Sequence, residues 1–220
     1  MKLEQIMRKN VDKVKGTKLL IFDFDGTIFQ SSKATFQVLL KAFSELGVKT
    51  AITEEDVKSH LGEPAEQFYK NLLGSEYANL WERVLIKYDP MIPRFGKVFP
   101  GVMDILKILK EKGYKLALYS NCEPDYFSEA ISCLGIKPYF DYMECNGENN
   151  LTKTDLIRKI INEIFPGIKA VVIGDKIHDI KAAQTNNLPS IGVLYGYGKD
   201  EPLKADITIS KFSELLDIFD

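Results

Sequence analysis

Apolar residues along the chain follow two alternating patterns. Short apolar runs typical of buried parallel strands occur at 18–22, 115–119, 141–145, 169–173, 190–194 and 206–209. Apolar residues at helical spacing occupy 102–112, 124–134, 152–165, 177–186 and 212–219. Strands that alternate with helices predict an α/β fold in which right-handed crossovers connect the strands of a parallel sheet.

The alternation is interrupted between residues 31 and 97, where helical patterns follow one another without a strand pattern. One stripe ends at Gly47, Thr53 has the character of an N-cap, and Pro64 suits the first position of a third helix. A fourth helix is predicted from Leu80 to Tyr88. We therefore predict a helical cap domain at 31–97, inserted into an α/β core domain made of 1–30 and 98–220. A further helix is predicted at 1–16, with a packing role only.

Composition limits the classes of function. The 220 residues are 45% hydrophobic and carry 29 basic and 31 acidic side chains, for a net charge of −2. This balance argues against nucleic acid or an anionic membrane as a partner. No apolar run is long enough to span a bilayer, the amino terminus lacks an apolar signal core, and three cysteines are too few for a disulfide framework. We expect a cytoplasmic protein, while its oligomeric state, monomer or dimer, stays open.

The first candidate site follows the strand at 18–22. Asp23 and Asp25 lie one residue apart, so an extended backbone points both side chains to the same face. Two neighbouring carboxylates repel each other unless a cation joins them, and oxygen ligands suit Mg²⁺. Gly26 permits the turn that must follow. The carboxyl end of such a strand is where open α/β sheets bind ligands.

Three further segments place polar residues at strand ends or helix starts. Ser120 and Asn121 follow the second core strand and can donate hydrogen bonds to a phosphoryl oxygen. Lys153 begins a predicted helix, where a basic residue opposes the helix dipole, which indicates that it faces an anion. Asp175 and Asp179 flank the turn after a strongly apolar strand, so both can reach one centre. His178, between them, is expected to be a surface or supporting residue.

The four motifs, in their order along the chain, resemble those of the haloacid dehalogenase superfamily, specifically its phosphoglycolate-phosphatase-like members. Asp23-Phe24-Asp25-Gly26-Thr27 fits the opening DxDGT motif without a gap, and a Ser, a Lys and a GDxxxD-type motif follow in the family's order. The sequence departs from the family at Lys176, where many relatives carry Ser, and lacks the prolines often found beside Lys153. The resemblance implies a Rossmann-like parallel sheet core with an inserted helical cap, and the activity of a Mg²⁺-dependent phosphatase.

The resemblance also implies a role for each motif residue. Asp23 would be the nucleophile that forms an aspartyl-phosphate, and Asp25 the general acid and base. Mg²⁺ would be bound by Asp23, the backbone carbonyl of Asp25 and Asp175, with Asp179 in support. The residues expected to hold the phosphoryl group are Gly26, Thr27, Ser120, Asn121 and Lys153. The substrate would be a small phosphorylated metabolite, phosphoglycolate- or sugar-phosphate-like.

Other functions stay open at this point. A phosphomutase resembling β-phosphoglucomutase would share every motif, and a non-catalytic metabolite-binding module on the same fold would keep the architecture. A dehalogenase is disfavoured because Asp25 is present, and a phosphonatase because no lysine of the predicted cap has a distinguishing context. Arg83, Arg94 and Lys97 could meet a second anionic group of the substrate, although solvated surface charges are the simpler interpretation.

Overall fold

The centre of the molecule is a six-stranded parallel sheet. The structure is a computed structural model, and it describes residues 11–74, 81–146 and 151–219. The strands lie in the order β5-β4-β1-β6-β7-β8, with all neighbouring pairs parallel. Their bounds are β1 Leu19–Asp23, β4 Lys115–Ser120, β5 Tyr142–Cys145, β6 Ala170–Gly174, β7 Ser190–Val193 and β8 Ile207–Ile209. The predicted α/β class and parallel sheet are confirmed.

Each strand of the sheet centre contributes side chains to both faces, which makes three layers. Leu20 and Phe22 join one apolar cluster, whereas Leu19 and Ile21 join the other. Because successive strand residues point to opposite faces, a strand covered on both sides carries a continuous apolar run, as β1 does from Leu19 to Phe22. The covering helices are α5 Val102–Glu111, α6 Pro124–Leu134 and α9 Leu215–Ile218 on one face, and α7 Lys153–Lys159 and α8 Ile177–Thr185 on the other.

A helical segment is inserted between β1 and α5, as predicted. A short antiparallel pair, β2 Phe29–Gln30 and β3 Lys97–Val98, stands where the chain leaves and re-enters the core. Between them lie α1 Ser32–Leu46, α2 Glu54–His60, α3 Ala65–Leu73, α4 Trp81–Tyr88 and a 3₁₀ segment, Asp89–Phe95. This confirms the inserted cap of the predicted fold. The residue boundaries of the two domains stay a prediction.

The expected helix signals within the cap are present with small shifts. Thr53 and Asp56 form a capping box, in which each side chain accepts from the other residue's backbone N–H. Pro64 is the N-cap of α3 rather than its first helical residue. The predicted helix at 1–16 lies mostly outside the described residues. Its described part, 11–16, contains a 3₁₀ turn at Asp12–Val14.

Two predicted core helices differ in type. The segment 152–165 is α-helical only to Lys159 and continues as a π-helix at Ile160–Ile164, while 212–219 begins as a 3₁₀ turn at Phe212–Glu214. All three helix types repeat apolar residues every three to five positions, so the apolar spacing does not separate them. In the described part of the chain, no helix is both long and apolar enough to cross a membrane.

Candidate active site

The strand ends of the sheet bring the predicted polar residues together. Asp23 is the last residue of β1 and pairs in register with Tyr119 of β4. Ser120 ends β4, and Asp175 directly follows β6, on the other side of β1. Because these strands are parallel, their carboxyl ends meet at one edge of the sheet. β1, β4 and β6 each extend one residue beyond their predicted ends, which places Asp23 and Ser120 within regular strands.

Lys153 joins two of the acidic motifs. Its Nζ atom donates to Asp23 Oδ1 and to Asp179 Oδ1, both at 2.7 Å, and all three residues are buried. The lysine is the first residue of α7, whose N-cap Thr152 forms a capping box with Asp155. Burial disfavours the ammonium, but the charges of Asp179 and Asp23 outweigh it, so the pKa of Lys153 is raised. The ammonium is therefore held permanently charged between the carboxylates.

Three carboxylates share this buried space with one ammonium. Asp23, Asp175 and Asp179 each offer an oxygen, and these oxygens all lie within 4.8 Å of one another. Burial, reinforced by the charge of Asp179, raises the pKa of Asp23 well above its usual range and that of Asp175 to about 7. Asp23 Oδ2 and Asp175 Oδ1 have no hydrogen-bond partner within the described residues. This donor set fits a hard divalent cation, which would supply the missing positive charge.

Neighbouring groups fix the positions of Asp175 and Asp179. Asp175 Oδ2 accepts from the backbone N–H of Tyr197 at 2.6 Å, in a space where a Cβ on Gly26 or Gly196 would overlap the Asp175 side chain. Asp179 Oδ2 accepts from the backbone N–H of Lys176 at 3.0 Å, and its Oδ1 accepts from the Tyr119 hydroxyl at 2.8 Å. The glycines therefore leave the room in which the carboxylates assemble.

Asp25 occupies a separate environment. Its Oδ1 accepts from the Tyr126 hydroxyl at 2.7 Å, and its side chain is not part of the three-carboxylate cluster. Burial raises the pKa of Asp25, although the hydrogen bond from Tyr126 opposes the shift. A buried carboxyl with a raised pKa can carry a proton and release it, which suits a general acid and base. Whether the backbone carbonyl of Asp25 binds a metal stays a prediction.

The residues expected to bind phosphate have their hydrogen-bonding groups near this site. Ser120 Oγ accepts from the backbone N–H of Cys122 at 3.1 Å, so its own proton is left to donate. Asn121 Nδ2 donates one hydrogen bond to the carbonyl of Gly62, at 2.8 Å, and keeps a second N–H. The buried hydroxyl of Thr27 has no partner within the described part of the chain.

A small cavity of about 50 Å³ lies between the core and the cap. The core residues that line it are Asp23, Asp25, Ser120, Asn121, Cys122, Tyr126 and Lys153. The cap contributes the other residues: Thr35, Leu61, Gly62, Glu63, Ala65, Phe68, Tyr69, Asp89 and Ile92. The cavity therefore joins the predicted catalytic residues to cap side chains that the sequence did not single out.

Two core residues fasten the cap over this cavity. Asn121 holds Gly62, and Lys176 Nζ donates to the carbonyls of Lys58 and Ser59, both at 3.2 Å. These two carbonyls belong to the last turn of α2, where a cation is favourable because it faces the negative end of the helix dipole. The Lys176 that departs from the family pattern thus has a structural role between the core and the cap.

Several functional contacts were not predicted from the sequence. Tyr119 lies in the strand predicted at 115–119 and Tyr126 in the helix predicted at 124–134. Neither was given a functional role, yet their hydroxyls donate hydrogen bonds to Asp179 and Asp25. His178 is exposed, in keeping with the surface role expected for it. The one available signal for the tyrosines was that a buried Tyr hydroxyl requires a polar partner.

Comparisons with known proteins identify the family. A model for "Haloacid dehalogenase-like hydrolase" matches residues 20–193. The chain is 26% identical over 211 residues to a phosphoglycolate phosphatase of Aquifex aeolicus, covering 92% of this chain and 97% of that protein. It is 27% identical over 201 residues to a 5′-nucleotidase of Pseudomonas aeruginosa, covering 84% and 86%.

The fold is shared with solved structures. A predicted phosphatase from Clostridium acetobutylicum superposes with a TM-score of 0.79 at 24% identity, covering 92% of this chain and 98% of that one. The motif order, the parallel sheet with its helical insertion and these relatives agree with one another. The chain therefore belongs to the haloacid dehalogenase-like hydrolase family, as a phosphatase similar to phosphoglycolate phosphatases.

Proposed function

We propose that this protein is a Mg²⁺-dependent phosphatase that hydrolyses a small phosphorylated metabolite through an aspartyl-phosphate on Asp23. The observation that carries the proposal is the buried cluster of Asp23, Asp175 and Asp179 around Lys153, next to a cavity that Asp23, Lys153 and Asp25 line. The cluster has an excess of negative charge, and a phosphate ester could enter it only together with a cation.

The residues that would hold Mg²⁺ are Asp23 and Asp175, with the backbone carbonyl of Asp25 and with Asp179 in support. Their carboxylates are close enough to share one ion, and two of their oxygens lack other partners within the described residues. When bound, Mg²⁺ would neutralise the charge of the phosphoryl group and of the nucleophile. Lys153 would position the carboxylate of Asp23 and contribute a second positive charge.

In the first step, the Asp23 carboxylate attacks phosphorus, and the bond from phosphorus to the leaving oxygen breaks. Asp25, protonated at a raised pKa, gives its proton to that oxygen, so that the alcohol leaves neutral. In the second step, the Asp25 carboxylate takes a proton from water as the water oxygen attacks phosphorus, and the bond from phosphorus to the Asp23 oxygen breaks. Inorganic phosphate leaves, and both Asp23 and Asp25 return to their starting states.

Hydrogen-bond donors around the cavity would stabilise the oxygens of the transferred phosphoryl group. Ser120 has a free hydroxyl proton, and Asn121 has a second amide N–H. Together with Lys153 and the Gly26-Thr27 turn, they would bind charge that is spread over the phosphoryl oxygens in the transition state. The cap would exclude bulk water and contact the leaving group.

The test uses hydrolysis of p-nitrophenyl phosphate with and without Mg²⁺. The Asp23→Asn variant should lose more than the roughly 10²–10⁴-fold expected of a group that only transfers protons, because Asn cannot form the phospho-enzyme. The matched control is Asp104→Asn, which makes the same chemical change at an exposed position in α5. Near-normal turnover by a folded Asp23→Asn protein would contradict the mechanism, and phosphate transfer to a sugar in place of water would indicate a mutase.

A further inference from the structure

The cap contributes one buried acidic group to the cavity that the proposed mechanism does not use. Asp89 begins the 3₁₀ segment after α4, is 9% exposed, and lines the same cavity as Asp23 and Asp25. The Tyr69 hydroxyl donates to Asp89 Oδ1 at 2.7 Å. No hydrogen bond to Asp89 Oδ2 is present among the described residues, so this oxygen is able to accept a hydrogen bond from a bound molecule.

Apart from the buried hydroxyl of Thr35, which has no hydrogen-bond partner within the described residues, the remainder of the cap wall is apolar or already hydrogen-bonded. Leu61, Phe68 and Ile92 present apolar surface. Glu63 also lines the cavity, but His60 Nδ1 lies 3.2 Å from its Oε1, and Asn71 Nδ2 donates to its Oε2 at 2.8 Å. Among the described residues, the cap wall therefore offers two uncommitted polar groups, the hydroxyl of Thr35 and Oδ2 of Asp89, and only Asp89 can carry a charge.

Positive charge is restricted to the phosphoryl end of the cavity. Among the described lining residues the only cationic side chain is Lys153, which is bound to Asp23 and Asp179. The three cap cations considered from the sequence do not line the cavity: Arg83, Arg94 and Lys97 are exposed, and Arg94 donates to Glu129 at 2.7 Å.

A negatively charged leaving group would be unfavourable in such a cavity. It would lose its hydration, meet the carboxyl group of Asp89, and find no cation to pair with. A hydroxyl group in the same place would donate to Asp89 and leave the apolar wall in contact with carbon atoms. The small volume of the cavity, about 50 Å³, favours a small leaving group.

We infer, on the basis of the phosphatase function proposed above, that the site selects monoesters of small, uncharged, hydroxyl-bearing alcohols through Asp89 and discriminates against phosphorylated carboxylic acids. The relatives reported above include proteins named for phosphoglycolate, in which the leaving group carries a carboxylate. By this inference, Asp89 makes phosphoglycolate a poor substrate for the present protein.

The experiment compares two substrates that differ only at the far end of the leaving group, 2-hydroxyethyl phosphate and phosphoglycolate, with Mg²⁺ at pH 8. The kcat/KM of the wild type should be at least ~10-fold higher for 2-hydroxyethyl phosphate, a preference that corresponds to about 1.4 kcal/mol. Asp89→Asn keeps an acceptor for Tyr69 but removes the charge, and it should reduce the preference by about tenfold, mainly through a lower KM for phosphoglycolate. Asp104→Asn should leave the preference unchanged.

Each outcome decides a different point. Equal or faster hydrolysis of phosphoglycolate by the wild type would overturn the inference while leaving the phosphatase function intact. No hydrolysis of these esters or of p-nitrophenyl phosphate would instead overturn the proposed function. If Asp89→Asn changes kcat/KM by the same factor for both substrates, Asp89 does not discriminate between leaving groups by their charge. If that variant does not fold, the ratio measured for the wild type decides alone.

Discussion

The replacement Asp89→Asn should stabilise the protein at alkaline pH. Burial raises the pKa of Asp89 from its ordinary 3.8 to about 7, although the hydrogen bond from Tyr69 opposes the shift. The folded protein therefore keeps a proton on Asp89 in a pH range where the unfolded chain has released it. Since the folded state binds more protons there, its stability falls as the pH rises towards the folded pKa. Asn has no proton to lose, and it preserves an acceptor for Tyr69.

The size of the effect follows from the gap between the two pKa values. About 3 units, at about 1.4 kcal/mol per unit, give a total of about 4 kcal/mol between pH 4 and pH 7. About 3 kcal/mol of this total falls between pH 5 and pH 8.5, because the lowest unit lies below that interval. Below the unfolded pKa the wild type keeps the full contribution, and above the folded pKa the loss is complete.

Urea unfolding of the wild type and of Asp89→Asn at pH 5 and pH 8.5 measures this difference directly. Subtracting the free energies of unfolding cancels the carboxyl groups that both proteins share. The advantage of Asp89→Asn should grow by about 3 kcal/mol from the lower to the higher pH. Asp104→Asn, at an exposed site, should show no such growth. A difference that is constant with pH would refute the assignment of a raised pKa to Asp89.

Two further predictions concern the metal and the cap. Asp175→Ala should raise the Mg²⁺ concentration needed for half-maximal activity. Ca²⁺ should inhibit the wild type, because the longer bonds and higher coordination number of Ca²⁺ do not hold octahedral geometry. Full activity in excess EDTA would contradict both predictions. Phosphate with Mg²⁺ should slow hydrogen exchange at β2, at β3 and in the 58–62 segment at the end of α2, because a closed cap protects these amides. Unchanged exchange with the site occupied would mean that residues 31–97 form a fixed wall.

The sequence was most informative where one local rule determined the structure. Asp23 and Ser120 follow apolar runs, and parallel strands end at a common edge, so their proximity could be inferred without coordinates. Lys153 was singled out because a cation at a helix start needs an anion, and the structure provides Asp23 and Asp179.

The cap side of the site could not be inferred in this way. Asp89 lies in a segment interrupted by prolines, where neither helical nor strand periodicity predicts which side chain is buried. The partnership of Tyr69 with Asp89 depends on the packing of α3 against the segment after α4, which is a tertiary contact between residues 20 positions apart. Local patterns do not contain such a contact, and the selection of the leaving group depends on it.

Asn121 and Lys176 couple the free energy of ligand binding to the docking of the cap on the core. Asn121 binds the carbonyl of Gly62 and Lys176 binds those of Lys58 and Ser59, all in the 58–62 segment at the end of α2, and each is the sequence neighbour of a site residue, Ser120 or Asp175. If phosphate engages the second N–H of Asn121, binding will orient the same amide that holds Gly62. Thermodynamic reciprocity then requires that docking of the 58–62 segment on the core increases the affinity for phosphate by a certain factor. Bound phosphate increases the equilibrium constant for docking by the same factor. A substitution at Lys176 would thus alter substrate affinity through an equilibrium of the cap, without contacting the substrate.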